Sequence, residues 1–210
     1  MTLKYPPKLA ILSISARWLP KEHKYYFAGW HILQVNWNRH DGWLFGTASH
    51  VGSGLDIPYL KLKSLANSLD PERHLICFNL QADLHQLNRI AILAPDHEYL
   101  RDFESALAAC LENSIDPFDQ FGAAATDIHT LSAQLNEAVF RVNKSDEDQA
   151  WQAPGLPSVR GVKRYLAGRN AFIWLMLMRL TLSESQLSEA LAAYSEWQNA
   201  YYPRDIMRDG

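Results

Sequence analysis

The chain has 210 residues, 48% of them hydrophobic and 20% charged, which suits one compact domain and excludes the disordered class. The formal net charge of -3 argues against a surface that coats nucleic acid broadly, though it leaves room for a local basic cleft. Seven Trp, nine Tyr and eight Phe supply a large core and material for an aromatic interface.

Lys8 to Ser15 is a short apolar run entered from Pro6-Pro7 and reads as a buried strand. Tyr25 to Trp37 is aromatic and β-branched and reads as a second, longer strand. The Asp41-Gly42 pair marks a hairpin, so Trp43 to Val51 is expected to run antiparallel as the third strand. Gly52, Gly54 and Pro58 mark a loop, and Tyr59 to Leu69 carries apolar residues at helical spacing. After Pro71, His74 to Leu80 reads as a fourth strand, followed by helices over Ala82–Leu93 and Asp96–Leu111, the second with Asp96 as its N-cap. Residues 113–125 read as a loop, Ile128 to Val142 as a helix, and Lys144 to Pro157 as a second loop. Two helices are expected over 158–167 and 169–181. A last one over 183–200 opens on Ser183 with Gln186 at the capping-box spacing, and the tail after Pro203 is expected to be loose.

The order β-β-β-α-β-α followed by helices is an α/β arrangement, a mixed sheet flanked by helices with a helical C-terminal part. Residues 1–210 read as one domain, with a helical insertion around 94–125. Cys77 and Cys110 fall in apolar runs and read as buried free thiols. The N-terminal apolar run is too short for a signal peptide, and Ala171 to Met178 is far below the ~18 residues of a membrane span. A cytoplasmic location away from membranes is the expectation. The eight histidines show no metal-ligand spacing, Gly52-Ser53-Gly54 does not match a phosphate loop, and no serine sits in a nucleophile elbow.

The element order is that of the ribonuclease H-like fold, and local sequence narrows the likeness. Ile76-Cys77-Phe78 followed by Asn79 to Leu87 resembles the second motif of the DnaQ-like (DEDD) 3′–5′ exonucleases, an apolar strand, then Asn, three residues and Asp, then a leucine-bearing helix. Asn79 and Asp83 take the motif's polar places, with Ala82 where an aromatic residue is usual. Thr126 to Leu135, Pro157 to Leu166 and Gly168 to Leu180 are similar to the family's later segments, so the resemblance covers roughly residues 8 to 181.

The departures bear on activity. The resemblance implies an Asp-x-Glu metal pair at the end of the first strand, where this chain has Ser13 and Ser15. It implies a His general base and an Asp ligand in the third motif, where this chain has Arg169 and Trp174. No acid lies between Lys8 and Lys21 or between Gly155 and Ser183, so a shift of register restores none. Of four metal carboxylates only Asp83 remains. Two-metal phosphoryl transfer needs anionic oxygens around two hard cations, and arginine cannot serve as a base near neutral pH.

Three readings follow. The first is a catalytically inactive DnaQ-like domain that binds single-stranded DNA or RNA, or a protein, without a cofactor. Arg160, Lys163, Arg164 and Arg169 would grip phosphates, with Tyr165 and Trp151 available for stacking; the plainer reading of that cluster is a solvated helix face. Trp174 could fill the vacated pocket, although a packed helix face is the simpler account. The second reading is an active exonuclease using Mg or Mn on ligands such as Asp41, Asp56, Asp83 and Asp127. The third is a protein-interaction subunit without nucleic-acid affinity.

Overall fold

The computed structural model describes residues 6–19, 24–52, 58–92, 97–116, 128–135, 142, 144–151 and 157–201. Strands β1 (Lys8–Leu19), β2 (Lys24–Asn38) and β3 (Gly42–Val51) form an antiparallel meander, and β4 (His74–Ile76) joins β1 in parallel. The sheet order is β3-β2-β1-β4. Beyond β4, Ile115 makes a parallel bridge to Ile76, its N–H donating to Leu75 O at 2.8 Å. The helices are α1 (Pro58–Ala66), α2 (Leu80–Ile92), α3 (His97–Leu111), α4 (Ile128–Leu135), α5 (Lys144–Ala150), α6 (Val159–Thr181) and α7 (Glu184–Tyr201). None among the described residues is long and apolar enough to cross a membrane.

Alternation along β1 divides the core into two layers. Leu9 and Ile11 pack with α6 and α7, while Ala10, Leu12 and Ile14 pack with Leu62, Leu65, Leu87 and Phe103 from α1 to α3. The segment expected as an insertion is thus part of the second layer where it is described. Helix α3 contributes Phe103, Leu107 and Cys110, and the chain then returns to the sheet at Ile115. Cys77 and Cys110 are buried free thiols, as the sequence suggests.

The hairpin at Asp41-Gly42 forms as expected. The Asn38 side-chain oxygen accepts from the N–H groups of His40 and Asp41, and Gly42 takes a positive φ of 69°. A bulge interrupts the β1–β2 register after Ser15, where Ala28 is the extra residue. Gly29 beside it has φ 151°, and a Cβ there would lie 2.0 Å from His50 O, so only glycine lets β2 and β3 meet.

Other boundaries move for physical reasons. The fourth strand stops at Ile76 because Asn79 turns into the left-handed region at φ 58° and launches α2 at Leu80. The two helices expected over 158–167 and 169–181 are one. Gly168 weakens helix locally by about 1 kcal/mol, but every residue from Asn170 to Met178 is buried between the sheet and α7, and that packing carries the helix through. Ser158 caps α6 by accepting from Gly161 N. The polar stretch after Lys144, expected as a loop, holds the short helix α5. Within the Ile128–Val142 segment, helix is described to Leu135, and Val142 is non-helical. The Ser183–Gln186 cap is present, with Ser183 N donating to Gln186 Oε1 at 3.1 Å. Asp96, the tail after Pro203, Asp56 and Asp127 lie outside the described residues.

Candidate functional site

Helix α2 begins where β4 ends, and its first turn carries Asp83. Asn79 gives the positive-φ turn, and Asp116, arriving from the strand-like return at Ile115, caps the helix. Its carboxylate accepts from Asn79 N at 3.1 Å and from Leu80 N at 2.6 Å. A carboxylate on the free N–H groups of a helix start is favoured by both hydrogen bonding and the helix dipole. The acid preferred at such a junction is therefore Asp116, and Asp83 is left for another role.

Asp83 is buried, and its partner is Arg169 of α6. The closest approach is 3.5 Å from Arg169 Nη2 to Asp83 Oδ2, and the same nitrogen donates to Phe78 O at 3.3 Å. Burial, and to a lesser degree Asp116, raise the Asp83 carboxyl against the pull of Arg169, leaving it at about 6. Burial opposes the charge on Arg169, but the carboxylate of Asp83 outweighs it, so the guanidinium stays charged. The pair is a tight but imperfectly bonded couple: Asp83 Oδ2 and Arg169 Nε lack hydrogen-bond partners.

The next residue along α6 does different work. The Asn170 amide nitrogen lies 2.7 Å from Ile11 O, 2.8 Å from His31 O and 2.9 Å from His31 Nδ1. All are acceptors, which fixes the orientation of the amide and makes His31 Nδ1 the unprotonated ring nitrogen. Burial and nearby Lys163 lower the His31 pKa to about 4, in keeping with a neutral ring. Consecutive residues of α6 thus tie it to α2 on one side and to β1 and β2 on the other.

Ser13 and Ser15 are buried and, by alternation with Leu9 and Ile11, face α6. Ser13 Oγ has no hydrogen-bond partner. The sequence-derived correspondence brings Asp83 and Arg169 together and sets Ser13 and Ser15 on the α6 face of β1. It does not bring Trp174 to Asp83. Trp174 lies deep in an aromatic cluster, stacked on Tyr194 at 4.9 Å and edge-on to Phe45 at 5.3 Å and Trp43 at 6.4 Å. It belongs to a packed helix face, as the simpler reading of the sequence has it.

The expected basic grip also divides. Arg160 and Lys163 are exposed and Arg164 is half-buried on the first turns of α6, whereas Arg169 is turned inward to Asp83 and leaves that surface. Trp151 packs edge-on to Tyr26 at 5.7 Å. Asp41 sits in the β2–β3 turn, hydrogen-bonded to Asn38, at the opposite end of the sheet from the α2 start. A second polar group was not foreseen. His129 of α4 lies 3.3 Å from Glu147 of α5 and stacks on Tyr165 of α6 at 6.1 Å. Tyr165 is raised by burial, against the pull of Arg169, with the Glu147 carboxylate adding to the rise. Among the described residues no three His, Cys, Asp or Glu side chains converge as a metal-binding group.

Asp116, His31 and the His129–Glu147 pair gave no local signal, since each depends on a partner far along the chain. Asn170 did give one, as a lone amide entering the apolar run Ala171 to Met178. No family model, curated protein or solved structure matches the chain.

Proposed function

We propose that this chain is a ribonuclease H-like domain of DnaQ-like type whose metal centre has been replaced by internal bonding, and that it acts by binding single-stranded nucleic acid rather than cutting it. The β3-β2-β1-β4 order, with Ile115 extending the sheet beyond β4, supports the fold reading. The observation that carries the functional reading is the Asp83–Arg169 pair. In a two-metal site the corresponding acid faces divalent cations together with acids on the first strand. Here a guanidinium supplies the opposing charge, and β1 offers the hydroxyls of Ser13 and Ser15. Arg160, Lys163 and Arg164 remain as the phosphate-gripping surface. Two free cysteines fit a cytoplasmic setting.

The test is fluorescence anisotropy with a labelled single-stranded oligonucleotide in EDTA, titrated with salt, beside a cleavage assay in Mg²⁺ or Mn²⁺. Binding that weakens with salt and on Lys163→Glu, without cleavage, is expected. Cleavage abolished by Asp83→Ala would overturn the inactive-site reading in favour of an exonuclease with atypical ligands. Absence of both binding and cleavage would overturn the nucleic-acid reading and leave a protein-interaction subunit.

A further inference from the structure

His129 and Ser132 lie one turn apart on α4, and between them they hold both main-chain groups of Val142. Ser132 Oγ accepts from Val142 N at 2.8 Å, and His129 Nδ1 lies 3.4 Å from Val142 O. Ser132 and Val142 are buried, so these main-chain groups depend on their partners within the fold. The other ring nitrogen of His129, Nε2, lies 3.3 Å from Glu147 Oε2 of α5. The ring also stacks on Tyr165 of α6, which is hydrogen-bonded to Glu147 as well. One imidazole thus joins α4 to Val142, to α5 and to α6.

Protonation decides how well that joint is made. Both ring nitrogens face acceptors, one a carbonyl and the other a carboxylate. A neutral imidazole carries one N–H, so it satisfies one acceptor and turns a lone pair on the other, whereas the imidazolium donates to both. His31 is the opposite case, because the Asn170 amide donates to its Nδ1 and the ring is held neutral. The charges around His129 favour the proton. Glu147 is in direct contact with the ring. Arg169, one turn beyond Tyr165 on α6, acts against the proton, but it is already engaged with Asp83 of α2.

We propose that His129 is a proton-operated clasp: its imidazolium fastens α4 to Val142 and α5, and loss of the proton loosens α4. The folded chain then keeps a proton that an unfolded histidine gives up near about 6.5. The clasp is fully closed below that value and is lost as the pH rises above it. It is independent of the nucleic-acid reading.

Two measurements on the full chain test this. Nitrogen NMR of the wild type should show both ring nitrogens of His129 protonated at pH values where histidines of the urea-unfolded chain have become neutral. Amide exchange along α4, corrected for the intrinsic rate, should show opening that rises on the order of tenfold from pH 6 to pH 8, the effect of losing one charge-assisted contact. In His129→Gln the side chain donates but does not titrate, so that rise should vanish. The wild-type-minus-variant difference also removes the titration of Asp83 at about 6. Glu147→Gln, which removes the carboxylate, should bring the loss of the His129 proton to lower pH. A wild-type His129 that is neutral wherever the unfolded histidines are neutral overturns the proposal, and this reading needs no variant to fold. A rise in α4 exchange that persists in His129→Gln overturns it too.

Discussion

Removing Arg169 tests the logic of the buried pair. Asp83 held at about 6 instead of 3.8 weakens the folded state by about 3 kcal/mol once it is ionised. The sign follows from proton counting. The folded state keeps its proton where the unfolded state has lost it, so this contribution to stability is fullest below 3.8 and is lost as the pH rises through about 6. Arg169→Met deletes the attraction that holds the carboxyl down, so Asp83 should titrate higher still. At pH 8 the variant should lose about 3–5 kcal/mol, the usual cost of stranding one member of a buried ion pair. At pH 5 most of that loss should vanish, because a protonated carboxyl needs no counter-charge. Between the two, the cost should grow by no more than about 1.4 kcal/mol per pH unit, the limit for one proton. Urea unfolding followed by tryptophan fluorescence at pH 5 and pH 8, variant beside wild type, reads this directly. Asp83→Leu combined with Arg169→Met should recover much of the loss at pH 8 and flatten its pH dependence. A cost for Arg169→Met that is equal at the two pH values would refute the reasoning.

Three further outcomes are expected. Asp116→Ala should cost about 1–2 kcal/mol by uncapping α2 and should lower the Asp83 titration, measurable by carboxyl NMR; an unmoved Asp83 would separate the two groups. Gly29→Ala should destabilise by more than about 1 kcal/mol, since its Cβ would meet His50 O at 2.0 Å, and a thermal melt equal to wild type would deny the close approach. His31 should stay neutral to about 4, with its proton on Nε2, as nitrogen NMR can show. Because its folded value lies below 6.5, its contribution is lost as the pH falls from 6.5 toward 4, opposite in sense to Asp83, so only variant-minus-parent differences isolate either group.

Sequence legibility followed the range of the interactions. The β2–β3 hairpin was readable because Asp41-Gly42 dictates its own turn, and the Ser183–Gln186 cap because its partners are one helical turn apart. Asn79 and Asp83 were readable as a spacing, but the spacing alone suits a helix cap as well as a metal ligand. Only the fold shows that Asp116 caps α2 and that Asp83 meets Arg169. Helix α6 was read as two because Gly168 speaks locally, while the burial of Asn170 to Met178 against the sheet and α7 is a tertiary fact. Trp174 was readable as part of a packed helix face, but its partners Phe45 and Tyr194 lie far along the chain and only the fold names them.

The two neighbouring α6 residues show how a buried charge couples one helix to the rest of the site. A lone buried carboxylate must be neutralised, and the residues of β1 on the α6 face include the hydroxyls of Ser13 and Ser15 but no opposing charge. An arginine one helix away then becomes a structural requirement, because it is what keeps Asp83 charged without unfolding α2 from the sheet. The adjacent Asn170 fastens the same helix to the main chain of Ile11 and His31, so the guanidinium cannot drift from the carboxylate. Building a metal site at this place would therefore mean supplying acids on β1 and freeing Asp83 from Arg169 in the same step. Either change alone leaves an uncompensated buried charge, and that energetic coupling holds the arrangement in its present form.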